Sequence, residues 1–184
     1  GGVYSIATGY GTYASGDAST ALGFSTTASG PYSIAEGYYS TAADYSVAMG
    51  RSARATGNNS TAFGFSTAAS NNSSTAMGAG TSPSGPYSTA MGNTTTAGGD
   101  YSIASGLYSV ANGSPSTAMG YSSNAKGNYS IAVGYQALAS GECSIAMGNV
   151  PTAYFRSIAM GDQTTASGNS STALGFNTTA GATY

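Results

Sequence analysis

Residues 17–30 read DASTALGFSTTASG, two seven-residue units of the form x-x-Ser/Thr-x-Ala-x-Gly that close on Gly23 and Gly30. Ser19, Ala21 and Gly23 fall on every second position, and the residues between them, Thr20 and Leu22, are larger and of a different kind. A period of two belongs to a strand, in which successive side chains point to opposite faces. Outward from this stretch the unit runs from residue 3 to residue 182 in 26 copies, and only 38–43 and 149–154 are one residue short. Glycine and β-branched residues at this density disfavour a helix, and the paired a and d leucines of a coiled coil are missing. A Gly every seven residues supplies a tight turn of the kind that positive φ serves.

Consecutive units differ, so the true repeat is 14 residues. Odd units have Ser third, Ala fifth and Gly seventh without exception, and their fourth residue is always β-branched, including Ile34, Val47, Ile103, Ile131, Ile145 and Ile158. Their sixth place carries Leu22, Met49, Phe63, Met77, Met91, Met119, Val133, Met147, Met160 and Leu174, and only Thr8, Glu36 and Ser105 depart. Even units place small or polar residues sixth, such as Ser15, Ser29, Thr56, Ser140 and Ser167. The expected architecture is all-β: a parallel β-roll or solenoid of about 13 fourteen-residue coils, each with one odd and one even strand, stacked about 4.8 Å apart into a rod about 60 Å long. It forms one repeat domain over 1–184, a segment of a longer array.

Arg54 and Lys126 sit at the fourth and sixth places of even units. An unpaired charge inside so thin a body is prohibitive, so these places point outward and Ser, Thr, Ala and Gly point in. The opposite arrangement, with Met inside and Ser and Ala outside, is the alternative. With the small residues inside, the odd face presents roughly 1,000 Å² of Ile, Val, Thr, Met and Leu, more than the ~300–600 Å² patch of an ordinary soluble monomer. Such a chain is expected to be an obligate homo-oligomer joined through the odd faces, with the even faces in solvent.

Only 10 residues are charged and the net charge is −2, which excludes a basic grip on nucleic acid or an anionic membrane. No apolar run is long enough for direct membrane insertion of this segment. Histidine is absent, Cys143 is alone and the six carboxylates are dispersed, so no catalytic residue, metal site or cofactor is expected. Cys143 reads as a small packed side chain. Asn-x-Ser/Thr triplets at Asn58, Asn93, Asn128, Asn169 and Asn177 follow from the fixed Ser of the repeat and are glycan acceptors only in a pathway that uses them.

The alternation of SxA[LM]G with STASG units, as in DASTALGFSTTASG, GNYSIAVGYQALASG and DQTTASGNSSTALG, resembles the head repeats of trimeric autotransporter adhesins over 180 of the 184 residues. The resemblance implies a left-handed β-roll, three chains about one axis, and an extracellular, cell-surface module that forms a rigid oligomeric rod and binds host matrix protein or a surface glycan. The family commonly has Asn before the odd Ser, whereas here Tyr takes that place at Tyr4, Tyr32, Tyr45, Tyr87, Tyr101 and Tyr129. Tyr32, Tyr45, Tyr87, Tyr101 and Tyr129 are candidate partner contacts; the other reading is that they cover coil ends or fill grooves between subunits. Aromatics also open even units, among them Tyr10, Phe24, Tyr38, Phe65, Tyr121, Tyr135 and Phe176, and stacked coils would align them into ladders. A structural fibre or filament shaft is the competing function. An ice-binding face would need a regular Thr grid, and the even fourth places (Tyr13, Thr27, Thr41, Arg54, Ala68, Ser82) supply none.

Overall fold

The computed structural model describes residues 1–181, and every regular element among them is a β-strand. Each 14-residue repeat is one coil of a parallel β-solenoid. Two compact units, Gly1–Asn93 and Thr94–Tyr184, are considered in turn. In the first, the odd strands Ile6–Tyr10, Thr20–Phe24, Ile34–Tyr38, Val47–Arg51, Thr61–Phe65, Thr75–Ala79 and Thr89–Asn93 pair in that order. In the second, Ile103–Leu107, Ser116–Tyr121, Ser130–Tyr135, Ile145–Asn149, Ile158–Asp162 and Thr172–Phe176 do the same. The register places like on like, Ala21 beside Ala7 and Ala35, Gly120 beside Gly106 and Gly134.

Even strands are shorter than the alternation suggests, only two residues each, as in Thr27–Ala28 and Leu138–Ala139. Their ends are trimmed by the backbone. In full even units such as 10–16 and 121–127 the N–H groups of the sixth and seventh residues donate to one carbonyl of the next coil: Ser15 and Gly16 to Ala28 at 2.9 and 3.3 Å, Lys126 and Gly127 to Ala139 at 2.9 and 3.4 Å. The seventh residue is thus a bulge-like insertion that shares an acceptor already in use. The two short units lack that residue: the Ala43 N–H reaches Ala55 at 2.8 Å and the Tyr154 N–H reaches Ala166 at 3.1 Å, after which the chain turns directly.

Alanine and hydroxyl side chains fill the coil. Ala21, Ala35, Ala62, Ala104, Ala132 and Ala159 are fully enclosed, as are Ser19, Ser33, Thr26 and Thr67, whereas Arg54 and Lys126 are exposed. The arrangement with methionine inside is therefore overturned. So small a core removes little apolar surface per residue, which leaves the backbone ladders and the tight stacking of coils as the main sources of order.

In several coils the odd Ser closes the turn that enters the odd strand, whereas the buried hydroxyls of Ser19, Ser102, Ser116, Ser130 and Ser171 have no hydrogen-bond partner among the described residues. The Ser60 hydroxyl donates to the Gly57 carbonyl three residues back at 2.6 Å, and the Ser60 N–H reaches the same oxygen at 3.2 Å. Ser33, Ser74 and Ser144 repeat the hydroxyl bond at 2.7 Å to Gly30, Asn71 and Gly141. Replacing Ser60 by Ala removes this bond and is expected to cost ~0.5–1.5 kcal/mol. Ser60→Val also forces a methyl group into a full space, which adds about 1–3 kcal/mol. Thermal melts should rank wild type above Ser60→Ala above Ser60→Val, and an equal midpoint for all three would contradict this account of the turn.

The odd glycines do take positive φ, as Gly23 at +117° and Gly64 at +122° show, but they do so inside the strand, and the left-handed residue of the turn is a different one. It is the second residue of each unit, which has φ near +55°, among them Ala18, Tyr32, Asn59 and Tyr129 in odd units and Ser25, Gln136 and Asn177 in even units. Pro115, which follows a cis peptide bond, is the exception among the described odd units. The positive-φ residue with Pro31 or Pro86 just before it gives the pattern of a type II turn. Its N–H stays in the coil-to-coil ladder, as in Tyr32 to Asp17 at 2.8 Å and Ser25 to Tyr10 at 2.8 Å. Cys143 occupies this place and is exposed. The expectation of a packed thiol is corrected: the second place lies outside the coil, where the interior alternation does not reach.

Candidate interaction surface

The odd face is built by the alternation itself. With Ser and Ala turned inward, the fourth and sixth residues of each odd strand turn outward, and parallel register sets them in columns. In the first unit the sixth-place column runs Leu22, Glu36, Met49, Phe63, Met77, Met91. In the second it runs Ser105, Met119, Val133, Met147, Met160, Leu174. Met77, Met91, Met119, Met160 and Leu174 are exposed, and Leu22, Met49, Phe63, Val133 and Met147 are half-buried. Beside them, Ile34, Ile103 and Ile131 are exposed, and Val47, Ile145 and Ile158 are half-buried. None of these sixteen side chains is enclosed by its own chain.

The first residues of even units form ring ladders. Tyr10, Phe24 and Tyr38 stack at 5.1 Å between successive centroids, and Tyr121 and Tyr135 stack at 5.0 Å. Tyr39 meets Tyr38 edge-on at 4.5 Å. Arg51 takes the ladder place after Tyr38, its guanidinium 5.9 Å from the Tyr38 ring centroid and 5.3 Å from that of Phe65. The cation substitutes for a ring between two faces that attract it. Arg51 opens its even unit as Tyr38 and Phe65 open theirs, so the repeat register already placed it in the ladder; its charge, unlike the rings beside it, is what hid its part in the stack.

The second corner carries the tyrosines of odd units. Tyr32, Tyr45, Tyr87, Tyr101 and Tyr129 are all exposed and all have φ between +54° and +58°. For an L residue with a large side chain this conformation costs about 1–2 kcal/mol. The family's usual Asn is explained by it, since Asn tolerates the left-handed region. Gly11, Gly80, Asn59 and Asn177 at second places were the sequence signal that this backbone is required. Tyr32 and Tyr45, on consecutive coils, stack with centroids 5.5 Å apart and planes 15° apart.

First-place residues of odd units tie coils together beside these tyrosines. Asp17 Oδ1 accepts the Val3 N–H at 2.8 Å, Ser114 Oγ accepts the Asp100 N–H at 2.8 Å, and Asn128 Oδ1 accepts the Ser114 N–H at 2.9 Å. The scattered polar residues at this place thus satisfy backbone donors one coil away.

The family description of the YadA head domain repeat matches residues 1–26, 14–40, 42–67, 55–81, 84–109, 111–137, 125–149 and 155–178. No curated protein matches the chain. The matched segments follow the same 14-residue coils that the strands define, and the half-repeats keep their separate characters throughout. The chain therefore belongs to the YadA head repeat family, the β-roll heads of trimeric autotransporter adhesins.

Proposed function

We propose that this chain is the head module of an extracellular, cell-surface adhesin, one repeat domain that works as a homo-oligomer and attaches to host matrix protein or a surface glycan. Its final repeat place, Ala182, lies outside the described residues. The observation that carries the proposal is the odd face: two columns bearing Met, Leu, Phe, Ile and Val that are exposed or half-exposed among the described residues. Contact between copies would remove this surface from water, at roughly 25 cal/mol for each Å² buried. Membership of a family of trimeric adhesins supports three copies. The strained, exposed tyrosines support a contact role, because Asn59, Ser73 and Ser170 stand at the same place and the turn does not require a ring there. The role is one of attachment, without catalysis or cofactor.

Sedimentation of the full chain tests the assembly. A species near three times 17.9 kDa is expected, and Met119→Glu combined with Met147→Glu should convert it to monomer by placing carboxylates in an apolar contact. A monodisperse wild-type monomer would sink the proposal. Attachment is tested with Tyr32, Tyr45, Tyr87 and Tyr101 changed together to Ser. Intact assembly with lost binding to a matrix-coated surface is the expected outcome, and dissociation of the oligomer would assign these rings to packing.

A further inference from the structure

We propose that Glu36 of one copy forms an ion pair with Arg51 of the next across the odd face, and that this pair fixes the alignment of the copies; this rests on the reading of the odd face as the contact between copies. Among the described residues the odd strands carry three charges, Glu36, Arg51 and Asp162. Asp162 already accepts a hydrogen bond from the Asn149 side-chain amide at 2.8 Å. Glu36 interrupts the apolar sixth-place column, with Leu22 on one side of it and Met49 on the other. It is exposed, as is Arg51, and neither makes an ion pair within its own chain among the described residues.

Assembly through the odd face covers the column that holds Glu36, and a carboxylate taken from water without a partner is heavily penalised, so a cation must meet it there. The position of each cation selects which one. Arg54 lies on an even strand, Lys126 follows one, and Arg156 stands at a left-handed turn place with its guanidinium 4.8 Å from the Phe155 ring centroid. Arg51 alone among the cations lies on an odd strand, Val47–Arg51, and alternation puts it on the same side as Val47 and Met49. The Tyr38 and Phe65 rings, 5.9 and 5.3 Å from its guanidinium, hold it at the border of the face. A guanidinium in contact with rings still offers the N–H groups at its edge, and these match a carboxylate through two parallel bonds. Arg51 stands one coil beyond Glu36, a rise of about 4.8 Å, which the two long side chains span when equal coils of neighbouring copies stand at equal height.

The pair answers a difficulty that the repeat itself creates. Met49, Phe63, Met77 and Met91 follow one another in a single column, so two such columns meet almost equally well after a slip of one coil. A slip repeated from copy to copy builds an open filament instead of a closed ring. Glu36 and Arg51 are the only charges on the odd strands of the unit Gly1–Asn93, so a slipped contact leaves the carboxylate against apolar neighbours with its cation one coil away. A single polar place in an apolar seam fixes register in coiled coils by the same penalty on every other alignment.

Carbodiimide cross-linking of the full chain carrying Arg51→Lys tests the pair, since this reagent joins a carboxylate to an amine only where the two touch. Bands at two and three times 17.9 kDa are expected on a denaturing gel, with mass spectrometry placing the new amide between Glu36 and the introduced ε-amine. Adding Glu36→Gln should remove that link, and Lys126 and the amino terminus, present in both variants, serve as the background. Without the reagent, Glu36→Gln and Arg51→Gln should each raise the protein concentration at half-dissociation at least ~10-fold, as measured by sedimentation, and the double variant should be no worse than the weaker single one. Both side chains are exposed, so the variants keep the coil, and circular dichroism verifies it. Links confined to one chain, intermolecular bands that survive Glu36→Gln, or losses that add in the double variant would each overturn the proposal. So would tighter assembly on Glu36→Gln, the result expected if the carboxylates of the copies met one another. If the wild type is oligomeric and Glu36 forms no link, the pair is refuted and the contact reading survives; a wild-type monomer refutes both.

Discussion

Gly64→Ala and Gly120→Ala should each prevent folding of the unit that contains it. Both glycines lie inside odd strands with φ of +122°, where an L residue is strained by roughly 1–3 kcal/mol. The second cost is steric. A Cβ on Gly64 would stand 2.0 Å from the carbonyl oxygen of Gly78, and one on Gly120 would stand 2.1 Å from that of Gly134. Those oxygens belong to the backbone of the next coil and are held there by ladder bonds on both sides, so the clash cannot relax by rotation of a side chain. Overpacking adds about 1–3 kcal/mol where neighbours can shift, and more where they cannot. Together the two costs approach the whole stability of a domain, about 5–15 kcal/mol. Circular dichroism should show loss of the β-spectrum in either variant. A cooperative melt within a few degrees of wild type would show that the coils are less closely stacked than these distances state.

This result also marks where sequence and structure part company. The invariant Gly after the sixth residue was visible as a period, the alternation of Ser19, Ala21 and Gly23 was enough to expect parallel stacked coils, and the charges of Arg54 and Lys126 placed the methionine column outside. Those features repeat in every unit because each coil meets an identical neighbour, so one packing constraint is written 13 times. The turns were hidden for the opposite reason. Their left-handed residue tolerates Tyr32, Ala18, Cys143 and Arg156 alike, since the side chain points away from the coil and only the backbone is constrained. Gly11, Gly80 and Asn59 carry the signal for it, diluted among residues chosen for other purposes. The Arg51 contacts with Tyr38 and Phe65 were legible in the register but masked by the change from ring to cation at one first place of the ladder.

Deleting single glycines should separate the two halves of the repeat by a wide margin. Removal of Gly120 shortens an odd unit and moves the following residues by one place. Because side chains alternate faces along a strand, the shift would turn Tyr121 and its neighbours against the register set by Gly106 and Gly134, and the odd ladder of that coil could not close. No natural repeat of this chain lacks the odd Gly. Removal of Gly127 is a different operation. Its N–H lies 3.4 Å from the Ala139 carbonyl that already accepts from Lys126 at 2.9 Å, so only the weaker of two shared bonds is lost. The product has the form of 38–43 and 149–154, where Ala43 and Tyr154 pass straight into the turn and the strands on either side stay in register. The odd unit would then follow residue 126 directly, as Asp44 follows Ala43, whose carbonyl accepts the Ser46 hydroxyl at 2.7 Å. A loss below about 1 kcal/mol is expected, equivalent to roughly 2–4 °C in melting midpoint for a chain of this size. Deletion of Gly120 should instead abolish the cooperative transition. Equal damage from the two deletions would mean that the seventh place of the even unit is as constrained as that of the odd unit, contrary to the shared acceptor seen at Ala139.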